Sequence, residues 1–167
     1  MLWYKYEVGD FFSADQFIVK NDGFFPSGYA YEVSHLHFHG WTICLDAATG
    51  IIWIENQVYL GAGDNAMANI RLEEWLCEQA STETKHLHSD NGVFTADMFR
   101  KYFQEKGKLQ FFCGVGAQHQ YSQADHNIQT IMYMACTFMS HISFNWSGCG
   151  VDDIFLWYFG INYAARL

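Results

Sequence analysis

Three aspartates, Asp15, Asp90 and Asp125, have the side-chain type and spacing for divalent-cation chemistry. Asp15 lies among apolar neighbours in DFFSADQFIV, residues 10–19. Asp90 follows KHLHS and opens Asp90-Asn91-Gly92. Asp125 stands in SQADHNI, and 34 residues lie between it and Asp90. Carboxylates gathered from separate elements suit hard cations such as Mg²⁺ or Mn²⁺, which take oxygen ligands. Two such ions can activate an attacking oxygen and stabilise a leaving oxygen at phosphorus. Each aspartate also has a plainer role. Asp-Asn-Gly is turn chemistry. Ser122 and Asp125 match the S-x-x-D capping box. Asp15 also reads as a solvent-facing strand residue.

Histidines supply the competing chemistry. His35-Leu36-His37-Phe38-His39 alternates, so a strand puts all three imidazoles on one face. His86 and His88 make a second alternating pair beside Asp90. Neutral imidazoles bind zinc, which describes a His-rich zinc-dependent hydrolase. The plainer reading is an exposed loop-to-strand segment that carries histidine, and the pattern favours it.

Any of these groups needs a scaffold. Residues 10–19 read as a strand. Residues 41–46 and 51–60 read as two strands around Ala47-Ala48-Thr49-Gly50, a hairpin. Asp64 is placed to cap a helix over 65–80. A short strand, 85–89, ends at Asp90. Thr95 is placed to cap a helix to about 106, which Gly107 stops, and 109–113 is a further strand. Ser122 opens a helix to about 141, with Ile128, Ile131, Ala135 and Met139 forming an apolar stripe. A last helix spans 152–166. Asn21 to Gly28, with the only proline, Pro26, reads as a loop. The order β-β-β-α-β-α-β-α gives a mixed α/β plan with one central sheet.

At 167 residues, one domain spanning 1–167 is expected. Half the residues are hydrophobic and 19% aromatic, which excludes a disordered chain. Nine Lys+Arg against eighteen Asp+Glu give a net charge of −9. That balance argues against sequence-independent DNA capture by this chain alone. It fits metal cations, or a basic partner domain elsewhere. The five cysteines are odd in number and form no CxxC, so they read as reduced thiols of an intracellular protein. No stretch of 18 apolar residues predicts a membrane span, and the start has no signal-peptide pattern. The chain stops within an apparent helix, as a C-terminally truncated piece would.

Four blocks occur in order: GDFFSADQF, WTICLDAATGIIWIENQVYL, LHSDNGVF and FCGVGAQHQYSQADHNIQTI. Together they resemble the integrase catalytic core of Ty1/copia-type retrotransposons. The variant with a GVGAHH-x-NG-x-AERNI-x-TI segment, carried by diatom and other algal or protist elements, is the most similar. The resemblance runs from about residue 8 to the end. It implies a ribonuclease H-like fold, a mixed five-stranded sheet flanked by helices. It also implies two Asp and one Glu that bind Mg²⁺ or Mn²⁺ for two-metal phosphodiester cleavage and DNA strand transfer. Residue by residue, the first two fall on Asp15 and Asp90, with Asp46 of CLDAATG outside the triad.

The third falls on Asp125. The family's Ala-Glu-Arg-Asn-Ile reads Ala124-Asp125-His126-Asn127-Ile128 here. Its Asn-Gly reads Tyr121-Ser122, Gln118 replaces a common His, and its His-Trp-Pro-Asp reads Asn145-Trp146-Ser147-Gly148. These departures suggest a degenerate copy, active or a folded relic without activity. Mariner-type transposases carry Asp at the third position with the same 34-residue interval. The resemblance further implies element-end and target DNA as partners, held weakly by the isolated core. It also implies homo-oligomerisation, no membrane, and a nuclear site of action if the chain is functional.

Overall fold

The structure, a computed structural model, describes residues 6–24, 37–90, 92–113, 122–145 and 157–167, without the side chains of 21–24 and 122–125. Strand β1 spans Phe11–Phe24, β2 His37–Asp46 and β3 Ile52–Gln57. Helix α1 spans Ala62–Ala80 and β4 His86–Ser89. A 3₁₀ turn at Val93–Thr95 leads into α2, Asp97–Glu105, then β5, Leu109–Phe112. Helix α3 spans Ser122–Asn145 and α4 Trp157–Ala164. The strands form one sheet in the order β3-β2-β1-β4-β5. β1 to β3 run antiparallel as consecutive neighbours, and β4 and β5 add in parallel on the other side of β1.

Strand alternation sorts the side chains into two layers. Phe12, Ala14 and Cys44 face α1 and α2, where they pack with Leu72, Leu76, Phe99 and Phe103. Trp41 and Ile43 face the other way, against Ile128, Ile131 and Ala135 of α3 and Ile161 of α4. The stripe expected along α3 is therefore its buried face.

The expected elements are all present among the described residues, with changed bounds. β1 continues through Asn21-Asp22-Gly23, read above as a loop, because Gly23 and Phe24 pair with Phe38 and His37 of β2. The register shifts between Ile18 and Gly23, so this arm carries an irregularity of the bulge type. Pairing across the sheet overrides local turn chemistry here. Gly40 lets the two strands approach: a Cβ there would lie 2.1 Å from the Phe17 carbonyl oxygen. Helix α1 starts three residues early, with Gly61 at the N-cap, so Asp64 sits in the first turn instead of capping. α2 starts after Ala96, and Thr95 instead donates its hydroxyl to the Gly92 carbonyl at 2.8 Å. Gly107, at φ 65°, follows α2 as expected. The first residues of the last predicted helix, 152–156, lie outside the described residues.

Candidate active site

The two central parallel strands set the site. Asp10 ties the start of β1 to that of β4: its carbonyl oxygen meets His86 Nδ1 at 2.6 Å, and its carboxylate accepts from Lys85 Nζ at 2.6 Å. The Lys85 hydrogen bond, with the Glu7 amide, holds the Asp10 carboxyl below its ordinary value of 3.8. A depressed carboxyl pKa stabilises the fold above the ordinary value and loses that contribution as pH falls through the lower one. The tie is therefore intact at neutral pH. From it, Phe11 pairs with His86, Phe12 with Leu87, Ser13 with His88 and Ala14 with Ser89.

One residue further along each strand stand Asp15 and Asp90. Neighbouring strands lie about 4.8 Å apart, so the backbone brings these two residues, 75 positions apart in sequence, to neighbouring positions beyond the last pair. Asp15 is half-buried in β1, opposite Ile43 of β2, on the side of the sheet that α3 covers. Its Oδ1 accepts the Gln16 amide at 2.7 Å. Gln16 in turn donates to Gln57 at 2.9 Å, and Gln57 to Asn65 at 3.3 Å, a side-chain chain that links β1 to β3 and the start of α1.

Asp90 is exposed, the first residue after β4. Its Oδ1 accepts the Gly92 amide at 3.0 Å, so it closes an Asx turn. The turn role and a ligand role are compatible, because a carboxylate has about four acceptor sites. Gly92 has a steric reason: a Cβ there would lie 2.9 Å from Asp90 Oδ2 and 3.0 Å from Oδ1. In Gly92→Ala the exposed carboxylate is expected to swing away at little cost in stability. A displacement of about 1 Å costs up to about a hundredfold in rate. We therefore expect metal-dependent cleavage to fall about tenfold with an unchanged melting temperature. A rate equal to wild type would show that this turn does not aim Asp90.

Asp125 occupies the first turn of α3, one turn before Ile128, on the helix that packs across β1 and β2. Its side chain lies outside the described residues. The three aspartates thus belong to β1, to the residue after its parallel neighbour β4, and to the helix laid over Asp15's side of the sheet. Two carboxylates one strand apart provide hard oxygen donors that fit Mg²⁺ or Mn²⁺.

Asp46, tempting by sequence, is structural. It is 1% exposed and accepts from the Gly9 amide at 3.2 Å, the Thr49 amide at 2.9 Å and the Thr49 hydroxyl at 2.6 Å. It holds the β2–β3 hairpin closed.

The histidines divide. His37 and His39 share one face of β2, both half-buried, and His35 lies outside the described residues. His88 Nε2 stands 3.4 Å from Cys113 Sγ, and burial lowers its pKa below the ordinary 6.5. Among the described residues, no group of three or more His, Cys, Asp or Glu is placed to hold a metal ion. The His88–Cys113 pair was not foreseen from sequence. Its signal was the parallel register: Ser89 pairs with Phe112, and the Cys113 amide donates to the Ser89 carbonyl at 3.2 Å.

No family model matches the sequence, and no curated protein matches it. Solved structures do match in shape. The HTLV-2 integrase catalytic core domain in complex with magnesium, in its dimeric form, superposes with a TM-score of 0.60 at 11% identity. That match covers 97% of this chain and 87% of the other. The fold is that of a retroviral integrase catalytic core. The BIV integrase catalytic core domain gives 0.60 at 11% identity, over 94% of this chain and 81% of that one. A simian T-cell lymphotropic virus intasome in complex with a PP2A regulatory subunit gives 0.65 at 9% identity, over 94% and 47%. At these identities the likeness establishes the ribonuclease H-like integrase core fold. Among the described residues, no helix is long and apolar enough to cross a membrane.

Proposed function

We propose that this chain is a polynucleotidyl-transferase core of the Ty1/copia integrase type, acting on phosphodiester bonds of DNA. One observation carries the reading: Asp15 and Asp90 each follow by one residue the Ala14–Ser89 pair of the parallel strands. The integrase-core fold supports it, and so does the complex of the HTLV-2 core with magnesium. Asp15 and Asp90 would hold one ion jointly, and Asp125 would hold a second with one of them. Bound Mg²⁺ or Mn²⁺ supplies the positive charge that stabilises the transition state at phosphorus. A water, then a DNA 3′-hydroxyl, displaces a 3′-oxygen in line. The turn at Asp90 and the Gln16 chain beside Asp15 keep the two carboxylates in place. The HTLV-2 core occurs in dimeric and trimeric forms, and we extend homo-oligomerisation and a nuclear site of action to this chain as part of the proposal.

The test concerns the third carboxylate. Asp is one methylene shorter than Glu, which withdraws the charge toward α3 by roughly 1.5 Å. Asp125→Glu should raise cleavage of a labelled element-end oligonucleotide by about ten- to a hundredfold, or create cleavage in an inactive copy. The gain should be larger in Mg²⁺, which demands near-ideal octahedral geometry, than in Mn²⁺. Asp125→Ala is the control. If Glu and Ala behave alike while wild type cleaves, Asp125 is a helix cap and not a ligand.

DNA capture by the isolated chain should be weak. Its net charge is −9, and residues 122–141 contain no Lys or Arg. The expected duplex affinity lies at the weak end of the roughly 10⁻⁶–10⁻⁴ M non-specific range. Fluorescence anisotropy at physiological salt measures it, and a sub-micromolar constant would contradict the charge argument.

A further inference from the structure

β4 and β5 run in parallel and end together, and a pair of unlike donors stands at their ends. His88, on β4, presents Nε2 at 3.4 Å from Sγ of Cys113, the residue after β5. The separation has a chemical meaning. On a tetrahedral zinc ion, with Zn–S near 2.3 Å and Zn–N near 2.05 Å, an imidazole nitrogen and a thiolate sulfur lie about 3.5 Å apart. The pair therefore already stands at the spacing of two ligands of one ion.

The backbone fixes this spacing. The Ser89–Phe112 register and the Cys113 amide bond to the Ser89 carbonyl, at 3.2 Å, lock the two strand ends together. Cys113 is 8% exposed, and the His88 ring lies 5.9 Å from that of Phe11, so neither side chain swings freely in solvent. The other cysteines of the described residues lack this arrangement. Cys44 is buried in the core, and desolvation pushes its thiol up to about 12, while Cys77 and Cys136 are exposed on helices.

The geometry points to a site for a borderline-soft divalent cation, zinc in kind, held by His88 Nε2 and Cys113 Sγ. On binding, the Cys113 S–H bond breaks, a metal–sulfur bond forms, and the proton passes to solvent. Among the described residues His88 and Cys113 are the two donors in place, and water or a further donor completes the shell. Nitrogen and sulfur donors select this ion over the hard cations suited to Asp15 and Asp90. His88 stands two residues before Asp90, which follows its strand, and the site does not depend on the proposed function.

The full chain, with Cys77, Cys136 and Cys149 replaced by Ser, is titrated with Co²⁺ under a phosphine reductant. We expect a near-ultraviolet thiolate-to-cobalt charge-transfer band that saturates at one equivalent per chain and that Zn²⁺ bleaches. Cys113→Ser should abolish the band. His88→Ala should keep it but weaken binding by at least about tenfold, since even partners outside the ligand shell cost that much. Circular dichroism confirms that each variant is folded, and Cys113→Ala stands in if the serine variant is not. A band that survives in both Cys113 variants, no band in the parent, or equal binding in His88→Ala would leave only an S–H to imidazole hydrogen bond and overturn the assignment.

Discussion

Asp90→Asn is expected to lower metal-dependent cleavage about a thousandfold while leaving the fold intact. Metal charge at phosphorus contributes several kcal/mol to the transition state, and each 1.36 kcal/mol is about tenfold in rate. Asn is nearly isosteric and its amide oxygen can still accept the Gly92 amide, so the turn survives. What is lost is negative charge beside Asp15. Two unit charges about 5 Å apart repel by about 0.8 kcal/mol at the dielectric of water. Metal-free Asp90→Asn should accordingly melt at or slightly above the wild-type temperature. If the proposed site holds, Mn²⁺ should raise the wild-type melting temperature, because an ion binding only the folded state stabilises it by mass action, and the same variant should lose that rise. This second readout needs no cleavage, so it also applies to an inactive copy. An undiminished Mn²⁺ shift in Asp90→Asn would remove Asp90 from the ligand set.

The second large effect lies on the opposite side of the sheet. Lys108, whose side chain is 5% exposed, forms an ion pair with Glu73 of α1 at 2.6 Å. Glu73 also accepts from the Tyr102 hydroxyl at 2.5 Å and from Asn69 Nδ2 at 3.1 Å. Burial, together with the Glu73 bond, holds the Tyr102 phenol above its ordinary range. Removing one member of a buried pair strands the other charge and costs about 3–5 kcal/mol. Lys108→Ala should therefore lower the melting temperature by about 10 °C, taking about 2–4 °C per kcal/mol for a chain of this size. Replacing both partners, Glu73→Leu with Lys108→Met, should recover part of the loss, because no buried charge then remains, although the Asn69 amide and Tyr102 hydroxyl lose their acceptor. A melting temperature within about 2 °C of wild type for Lys108→Ala would show that water screens the pair.

The legible parts of this protein were those that local chemistry decides. Thr49-Gly50 closed its hairpin, the Ile128 to Ala135 stripe faced the core, and Asp90 fell at the end of its strand. Asp15, Asp90 and Asp125 stand out by type and spacing and again through the resemblance; Asp15 lies in β1, and Asp90 directly follows β4, its parallel neighbour. Long-range pairing decided the rest. The β1 arm past Val19 reads as turn residues but is held by Phe38 and His37. The Glu73–Lys108 pair joins residues of two elements whose charges look ordinary in sequence. His88 and Cys113 meet only because β5 adds in parallel with one register. Asp46 shows the converse: an attractive carboxylate whose hydrogen bonds tie the β2–β3 hairpin closed and to the Gly9 amide before β1.

The parallel register between β1 and β4 also bears on how the chain reaches its native state. β1, β2 and β3 are sequence neighbours, so their pairings span far fewer residues than the parallel one. Phe11 and His86 must meet across 75 residues, and the entropy of closing that loop is lost before any parallel hydrogen bond forms. Sheets built on such distant pairs fold slowly. The antiparallel meander can therefore assemble while Asp15 still lacks its neighbour. On the proposed site, metal-binding competence would arrive with the docking of β4, so cation uptake would report the first long-range strand pairing rather than the local meander.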